Sequence, residues 1–345
     1  PASLARTTHV FERGNWLVKG EEVENGVPAA WNPFPEYARK NRLGMAQWLM
    51  SPDNPLTARV MVNRLWAQIF GIGIVETTED FGSLGEPPSH PKLLDWLAIA
   101  FSSKMDWSMK SLLKLIVSSA TYQQSSQMTA QLREKDPDNR LLARGPRVRL
   151  TAEQIRDQAL SVSGLLSQKM FGPSVMPPQP EGIWQNTVYS SAKWETNTGE
   201  DRHRRGLYTL LRRSSPYPSL MTFDGSSREF CLSRRINTNT PLQALITLND
   251  PVYLEAAQEL AKTMYQKETS IDFQIKSGYR QMLFREIDLQ ALVKLKDLYH
   301  ESMVYYSDNP EQIIEITEEE KDPSLAALMV VANALLNLDE FITKS

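Results

Sequence analysis

Asx-Pro dipeptides recur in this chain immediately before segments with helical spacing of apolar residues. They occur at Asn54-Pro55, Asp250-Pro251 and Asp322-Pro323. An Asn or Asp side chain accepts hydrogen bonds from the first free amides of a helix, and proline suits the first turn because its missing N–H would have no intrahelical partner there. Each dipeptide therefore predicts a helix start, and Gly71 predicts the end of the first of these helices. The fold class is predicted to be mainly α, a multi-helix globular fold.

Further helices are predicted where apolar residues recur at three- and four-residue spacing. Residues 91–103 and 108–119 show this spacing, and we expect them to form an antiparallel pair. Ser108 is an N-cap candidate for the second of these helices. Thr151 and Gln154 fit the capping box, in which two side chains satisfy each other's backbone amides, and they predict another helix start.

The middle of the chain differs from these helical parts. Proline is frequent over 173–180, and aromatic residues then follow among Asn, Ser and Thr. This composition predicts a long ordered loop or a β excursion. The strand candidate is 206–213, because it is short, is bounded by Gly and Ser, and contains Tyr and Thr. A small β element is therefore predicted near residues 183–213, close to the middle of the chain.

The length of 345 residues favours two cooperating subdomains or one elaborated large domain. The changes in pattern predict four parts: an extended N-terminal arm at 1–35, an N-terminal helical half at 36–172, a loop or β, arginine-rich segment at 173–240, and a C-terminal helical half at 241–345. The chain begins with Pro1 and lacks the apolar stretch of a signal peptide, so we expect it to have been cut from a longer precursor.

Eight arginines and no lysine lie between positions 202 and 235. A guanidinium group presents a rigid fork of donors that suits carboxylate, sulfate or phosphate. One hypothesis is therefore an anion-binding patch, with the candidate residues Arg204, Arg205, Arg212, Arg234 and Arg235. The alternative is that these arginines pair inside the fold with Asp80, Glu86, Asp95, Glu153, Asp157 or Asp224.

Aromatic and acidic residues supply two further candidate sites. Trp184, Tyr189 and Trp194 offer flat faces that suit sugar rings, although they would also serve to anchor a long loop. Glu79, Asp80, Glu86 and His90 lie in a Gly/Pro-rich connection, where carboxylates suit acid-base chemistry or a divalent cation. The alternative for these acidic residues is capping of the next helix.

Composition excludes several classes of partner and cofactor. The formal net charge of −3 predicts no nucleic-acid partner, and the apolar runs are shorter than the ~20 residues of a membrane span. The only cysteine is Cys231, so an intrachain disulfide, a Cys-rich zinc site and haem c attachment are not expected. The apolar neighbours of Cys231 predict a buried structural thiol rather than a reactive one. The four histidines are widely separated, and no metal site or cofactor is predicted in this chain.

Several motifs in fixed order resemble one known family. They include the segment 54–66, Asp80-Phe-Gly82, Leu84-Gly-Glu-Pro-Pro-Ser-His-Pro91, Ser119-Ala-Thr-Tyr-Gln-Gln-Ser-Ser126, Glu153-x-x-Arg-Asp157, Arg204-Arg-Gly-Leu-Tyr208, Pro241-Leu-Gln-Ala-Leu245 and Leu248-Asn-Asp-Pro251. With these motifs the chain resembles the PSD-one domain, the planctomycete cytochrome c-associated domain of unknown function. The resemblance covers nearly the whole chain.

The resemblance implies a context rather than a mechanism. Relatives usually carry this domain after a c-type cytochrome module and a second uncharacterised domain in one exported polypeptide. It implies an extracytoplasmic location, in the periplasm or at the cell surface, an upstream cytochrome-type domain as partner, haem c only in that upstream module, and a link to polysaccharide utilisation. The family offers no active site to carry over.

Three functions are consistent with these observations. The leading hypothesis is a non-catalytic binding or docking module that recognises a partner domain or an anionic polysaccharide through its middle segment. The second is a polysaccharide-active enzyme that uses Asp80, Glu86 or Asp224 beside the arginines, two of these carboxyl groups lying roughly 5 to 9.5 Å apart. The third is a docking domain that supports electron transfer by an upstream haem module.

Overall fold

The computed structural model describes residues 7–180, 194–213, 215–267, 270–317 and 321–344. The predicted aromatic positions Trp184 and Tyr189 lie outside these described residues. Within them the helices are α1 (Arg42–Leu49), α2 (Thr57–Phe70), α3 (Pro91–Ile99), α4 (Met109–Val117), α5 (Ala130–Lys135), α6 (Ala152–Val162), α7 (Pro218–Thr222), α8 (Pro241–Asn249), α9 (Pro251–Lys267), α10 (Ile271–Leu283), α11 (Leu289–Asp308), α12 (Pro310–Thr317), α13 (Pro323–Leu336) and α14 (Asp339–Ile342). The prediction of a mainly α fold is confirmed.

Two small antiparallel sheets accompany the helices in the described part of the chain. Strands β1 (Thr8–Phe11) and β2 (Lys19–Val23) form a hairpin within the predicted N-terminal arm. Strands β3 (Val148–Arg149) and β4 (Thr343–Lys344) pair two segments that are far apart in sequence. The chain divides into two compact units, Pro1–Gln123 and Gln124–Ser345. The four-part division drawn from the sequence stays a prediction.

The Asx-Pro prediction is confirmed at α9 and α13. Helix α9 begins at Pro251, and the backbone N–H of Val252 donates to Asp250 Oδ1 at 3.0 Å. Helix α13 begins at Pro323, and Asp322 Oδ1 accepts the backbone N–H of Ser324 at 2.8 Å. Both aspartates therefore satisfy an amide that the first turn leaves without an intrahelical partner.

The first Asx-Pro helix starts two residues later than its proline. Asn54 Oδ1 accepts the backbone N–H groups of Leu56 and Thr57 at 3.0 and 3.2 Å, and α2 begins at Thr57. It ends at Phe70, and Gly71 follows with a φ of 84° that favours glycine. The predicted N-cap at Ser108 and the capping box of Thr151 are confirmed at α4 and α6. The antiparallel pairing of 91–103 with 108–119 stays a prediction.

A buried amide fixes the turn that follows α2 in the first unit. The Asn63 side chain is fully buried, its Nδ2 donates to the carbonyl of Val75 at 2.8 Å, and its Oδ1 accepts the N–H of Val75 at 2.8 Å. A Cβ at Gly73 would lie 2.4 Å from the Val75 carbonyl oxygen, so only glycine permits this close approach. The clamp holds Ile74 and Val75 in the core.

The core of the second unit is centred on α9 and α13. Helix α13 buries ten residues, from Leu325 to Leu336, and packs against α9 and α11. The cluster continues through Ile155 and Ala159 of α6 and through Ile275 and Tyr279 of α10. A helix that is apolar on nearly every side must be surrounded by others, which explains why α13 lies inside this unit.

The predicted strand at 206–213 is wrong. Residues Gly206–Tyr208 form a 3₁₀ turn, and the only β interaction in the described part of this segment is one parallel bridge between Val175 and Thr209. Gly206 lies so close to α6 that a Cβ there would be 2.9 Å from Glu153 Cα. Contact with the helix, rather than with a neighbouring strand, therefore determines the local conformation.

No helix within the described residues is long and apolar enough to span a membrane.

We expect Asn63→Ala to destabilise the first unit strongly. The substitution leaves the buried N–H and C=O of Val75 without partners, at a cost of about 1–3 kcal/mol for each group. Gln68→Ala on the exposed side of the same helix is the matched control and should change the free energy of unfolding by less than about 0.5 kcal/mol. Urea unfolding of both variants measures the difference, and equal effects would contradict the role given to the clamp.

Candidate functional site

Helix α6 presents three charged side chains to the arginine-rich segment. Glu153, Arg156 and Asp157 are spaced so that they share one side of the helix. Both terminal nitrogens of Arg235 donate hydrogen bonds to the Glu153 carboxylate, Nη1 to Oε2 at 2.6 Å and Nη2 to Oε1 at 2.8 Å. This two-bond arrangement of guanidinium and carboxylate fixes orientation as well as distance. The end of the arginine-rich segment is thereby attached to α6.

Asp157 and Arg156 hold the beginning of the same segment. Asp157 Oδ1 accepts the N–H of Gly206 at 2.6 Å, and its Oδ2 accepts Arg205 Nε at 3.0 Å. Arg156 is buried, and its Nη2 donates to the backbone carbonyl of Arg202 at 3.0 Å. Two side chains of α6 therefore hold the segment: the Asp157 carboxylate accepts from it, and the Arg156 guanidinium donates to it. These contacts position both Arg202 and Arg205.

Ion pairing shifts the pKa of both groups in the Glu153–Arg235 pair. Burial by itself would raise the pKa of Glu153, but the hydrogen bonds and charge of Arg235, with other local hydrogen bonds, lower it below its ordinary value. The hydrogen bond to Glu153 raises the pKa of Arg235. Because the folded-state pKa of Glu153 is depressed, the stability from this pair is present above the unfolded pKa and is lost as the pH falls through the folded pKa.

Arg204 is an internal residue of the second unit. Its side chain is 1% exposed, and the guanidinium donates to the carbonyls of Pro173 and Phe171 at 3.1 and 2.5 Å. The guanidinium also lies over the Tyr208 ring, 3.7 Å from its centroid. Arg204 therefore ties the proline-rich stretch to the arginine-rich segment and does not face solvent.

The remaining binding candidates are dispersed. Trp194 Nε1 donates to the carbonyl of Pro177 at 2.8 Å, and its ring stacks on buried Tyr217, which is the loop-anchoring arrangement that the sequence left open. Arg212 is half-buried and Arg234 is exposed. Cys231 is exposed, so the prediction of a buried thiol is wrong. Its apolar neighbours are themselves exposed and form no local core around it.

Two of the three carboxylates of the hydrolase hypothesis, Asp80 and Asp224, have local structural partners. Asp80 and Glu86 belong to the first unit, where Asp80 Oδ1 accepts the N–H of Gly82 at 2.6 Å. Asp224 belongs to the second unit, and its two oxygens accept the N–H and hydroxyl of Thr238, both at 2.8 Å. Among the described residues, no group of three or more His, Cys, Asp or Glu side chains is arranged to hold a metal ion.

An open groove of about 850 Å³ lies beside the attachment of Arg205. Its walls come from α6, from the end of α10 and from the C-terminal segment, and they include Val162, Arg205, Met282, Phe284, Arg285 and Lys344. Arg285 donates to Glu340 at 2.7 Å, so both guanidinium groups of the groove are held by carboxylates. The groove combines cationic groups with apolar surface, a combination that the sequence did not reveal because its walls are distant in the chain.

Phe284 is the most unusual residue of this groove. Its side chain is 90% exposed, and its backbone ends α10 in the left-handed region with a φ of 54°. Glycine normally occupies this position, and a bulky residue there is an outlier. An exposed aromatic ring therefore lies at the edge of a groove that is lined by cationic and carboxylate side chains together with apolar ones. The helical spacing of apolar residues does not single out Phe284, because it lies just beyond a regular helix.

Asp250 is the most perturbed carboxyl group near the core of this unit. Burial raises its pKa to about 6, against the opposing effects of the Val252 N–H and the charge of Arg156. Its Oδ2 is buried without a hydrogen-bond partner among the described residues. Because the folded-state pKa lies above the unfolded one, stability from protonated Asp250 is fully present below about pH 4 and is lost as the pH rises through about 6.

One family model matches the sequence. It covers residues 41–299 and is described as PSD1, a protein of unknown function (DUF1553). No curated protein and no solved structure matches the chain significantly.

We expect Arg235→Met to destabilise the second unit by about 1–3 kcal/mol, because Glu153 is then left half-buried without its charged partner. Adding Glu153→Gln should recover part of this loss, since the unpaired charge is removed. Arg213→Met, at an exposed arginine of the same segment, is the control. A double-mutant cycle by urea unfolding measures the coupling, and purely additive effects would exclude it.

We expect Asp250→Asn to flatten the pH dependence of stability. Ionisation of Asp250 should remove about 1 kcal/mol of the parent's stability between roughly pH 5 and pH 7, and the variant should lack this loss over the same interval. Asp308→Asn, at an exposed carboxylate, serves as the control. Unfolding free energies at both pH values provide the measurement. Parallel curves for parent and variant would show that Asp250 does not titrate there.

Proposed function

The chain belongs to the PSD1 family of proteins of unknown function, and from this premise we propose that it is a non-catalytic binding module for an anionic polysaccharide. The proposed site is the groove beside α6 and the end of α10. The observation that carries the proposal is the exposed, left-handed Phe284 beside the guanidinium groups of Arg205 and Arg285. An aromatic face suits a sugar ring, and guanidinium suits a uronate or a sulfate.

The geometry of Arg205 supports recognition of an external anion. Only its Nε is bound to Asp157, and its terminal nitrogens have no hydrogen-bond partner among the described residues. The side chain is 46% exposed. The internal ion pair therefore orients the guanidinium without using all of its donors. This leaves two N–H-bearing nitrogens for a carboxylate or sulfate in the groove.

The resemblance of the sequence supports the wider context of the proposal. We propose that the module acts outside the cytoplasm, in the periplasm or at the cell surface, next to an upstream cytochrome-type domain that carries haem c. Binding of an acidic polymer by such a module would keep the whole polypeptide on its polysaccharide. Docking of the upstream domain remains a separate part of this proposal.

We expect Phe284→Gly to weaken polysaccharide binding without loss of stability. Glycine relieves the left-handed strain, so the free energy of unfolding should stay within about 1 kcal/mol of the parent value. Loss of the ring should weaken binding to polygalacturonate or heparin about tenfold, the effect of ~1.4 kcal/mol. Affinity electrophoresis in gels that contain each polymer, with neutral dextran as reference, measures the change.

The chain offers a matched control at Phe171. This residue is also an exposed phenylalanine in the left-handed region, with a φ of 63°, and it does not line the groove. Phe171→Gly should leave the retardation by both acidic polymers unchanged. Retardation should also decrease with added salt, because exposed cationic contacts are screened. If the parent is not retarded, or if both glycine variants behave alike, the groove is not the site.

A further inference from the structure

A second pocket in the same unit has a different chemistry. Its volume is about 380 Å³, and it lies among α9, α13, the end of α8 and Arg202. It shares no lining residue with the groove of the proposed function. A volume of this size falls within the range of pockets that bind small molecules. The pocket is therefore a candidate small-molecule site that is separate from the groove.

The polar end of the pocket is formed around Arg202. Both oxygens of Glu255 accept Arg202 Nε, at 3.2 and 3.0 Å, and Glu255 Oε1 lies 2.8 Å from His203 Nε2. The terminal nitrogens of Arg202 have no hydrogen-bond partner in the part of the chain that the structure describes. The Glu255 carboxylate is thus bound by Arg202 and His203, whereas the terminal nitrogens of Arg202 can donate to a further acceptor.

Two amide side chains line the pocket in otherwise apolar surroundings. Gln258 is only 6% exposed, and its Nε2 has no partner among the described residues. Asn333 is 8% exposed on the apolar helix α13, and among the described residues its Nδ2 makes a long bond of 3.4 Å to the carbonyl of Leu248. An unpaired buried amide costs about 1–3 kcal/mol, which an acceptor in the pocket would offset.

The remaining walls are apolar. Leu254, Ala257, Met329 and Val330 line the pocket beside these polar groups. We infer that the pocket binds a small carboxylic acid with a compact apolar body, its carboxylate against Arg202 and its hydrocarbon against these four residues. The amide oxygens of Gln258 and Asn333 can also accept hydrogen bonds, but the charged group with unused donors at the pocket is the Arg202 guanidinium, so an anionic head group is favoured over a neutral or cationic one.

The experiment compares three probes of one size on the intact chain. Hexanoate, hexanol and hexylamine share a six-carbon skeleton and differ in the head group. Isothermal titration calorimetry should detect hexanoate binding, at least about tenfold weaker hexanol binding because the charged head group is missing, and no hexylamine binding. If hexanoate does not bind, or if hexanol binds as tightly as hexanoate, the inference is overturned.

Three variants locate the binding, two of them matched leucine-to-tryptophan substitutions. Leu254→Trp adds volume at a half-exposed wall of the pocket and should abolish hexanoate binding, whereas Leu245→Trp, at an exposed leucine of α8 that does not line it, should leave the affinity unchanged. Gln258→Leu should weaken hexanoate binding more than hexanol binding. Equal affinity of all variants would place the binding elsewhere and overturn the inference.

The groove variant separates this inference from the proposed function. Phe284→Gly should retain full affinity for hexanoate while its binding to acidic polysaccharide decreases. Leu254→Trp should show the opposite result: it should lose hexanoate binding and keep the parent's retardation by polygalacturonate. Loss of hexanoate binding in Phe284→Gly would show that the small acid occupies the groove, and this result would overturn the pocket assignment.

Discussion

The attachment of the arginine-rich segment to one side of α6 is the interaction on which the two candidate sites depend. Glu153 and Asp157 bind Arg235 and Arg205, and Arg156 binds the backbone of Arg202. Breaking the half-buried Glu153–Arg235 pair would leave Glu153 without compensation for its burial. The close approach of Gly206 to α6 depends on the absence of a side chain at that position. Together these contacts place Arg202 at the pocket and Arg205 at the groove.

The preference for arginine over lysine in this segment follows from the same contacts. A guanidinium group carries donors on three nitrogens, so one of them can bind an internal carboxylate while the others point elsewhere. Arg202 and Arg205 each bind their carboxylate through Nε alone, whereas Arg235 uses both terminal nitrogens on Glu153. Arg202, Arg205 and Arg235 are thus all paired internally, which is one of the two alternatives drawn from the sequence, while the terminal nitrogens of Arg202 and Arg205 have no hydrogen-bond partner among the described residues. An ammonium group also has three donors, but all of them lie on one nitrogen, so the internal and the external acceptor would both have to approach the same atom.

Much of the fold was predictable, because helix starts depend on local chemistry. The caps at Asp250, Asp322 and Thr151 involve atoms within three residues of each other, and their residue types identify them directly. The strand predicted at 206–213 and the buried thiol predicted at Cys231 were wrong for the opposite reason. A strand needs a second strand to pair with, and a buried side chain needs other side chains packed around it. The flanking residues specify neither of these partners. Here α6 replaced the neighbouring strand, and the loop around Cys231 remained exposed.

The sequence by itself determined the helical class, the principal helix starts, the family and the cluster of arginines without lysine. These features depend on residue type and short-range spacing. The tertiary structure alone decided which arginines are internal, which keep donors toward a cavity, and which apolar residues complete each site. Phe284, Gln258 and Asn333 became candidates only when the walls around them were assembled from segments far apart in the chain. Burial and donor availability are properties of that assembly, because they depend on what the rest of the fold places against each group.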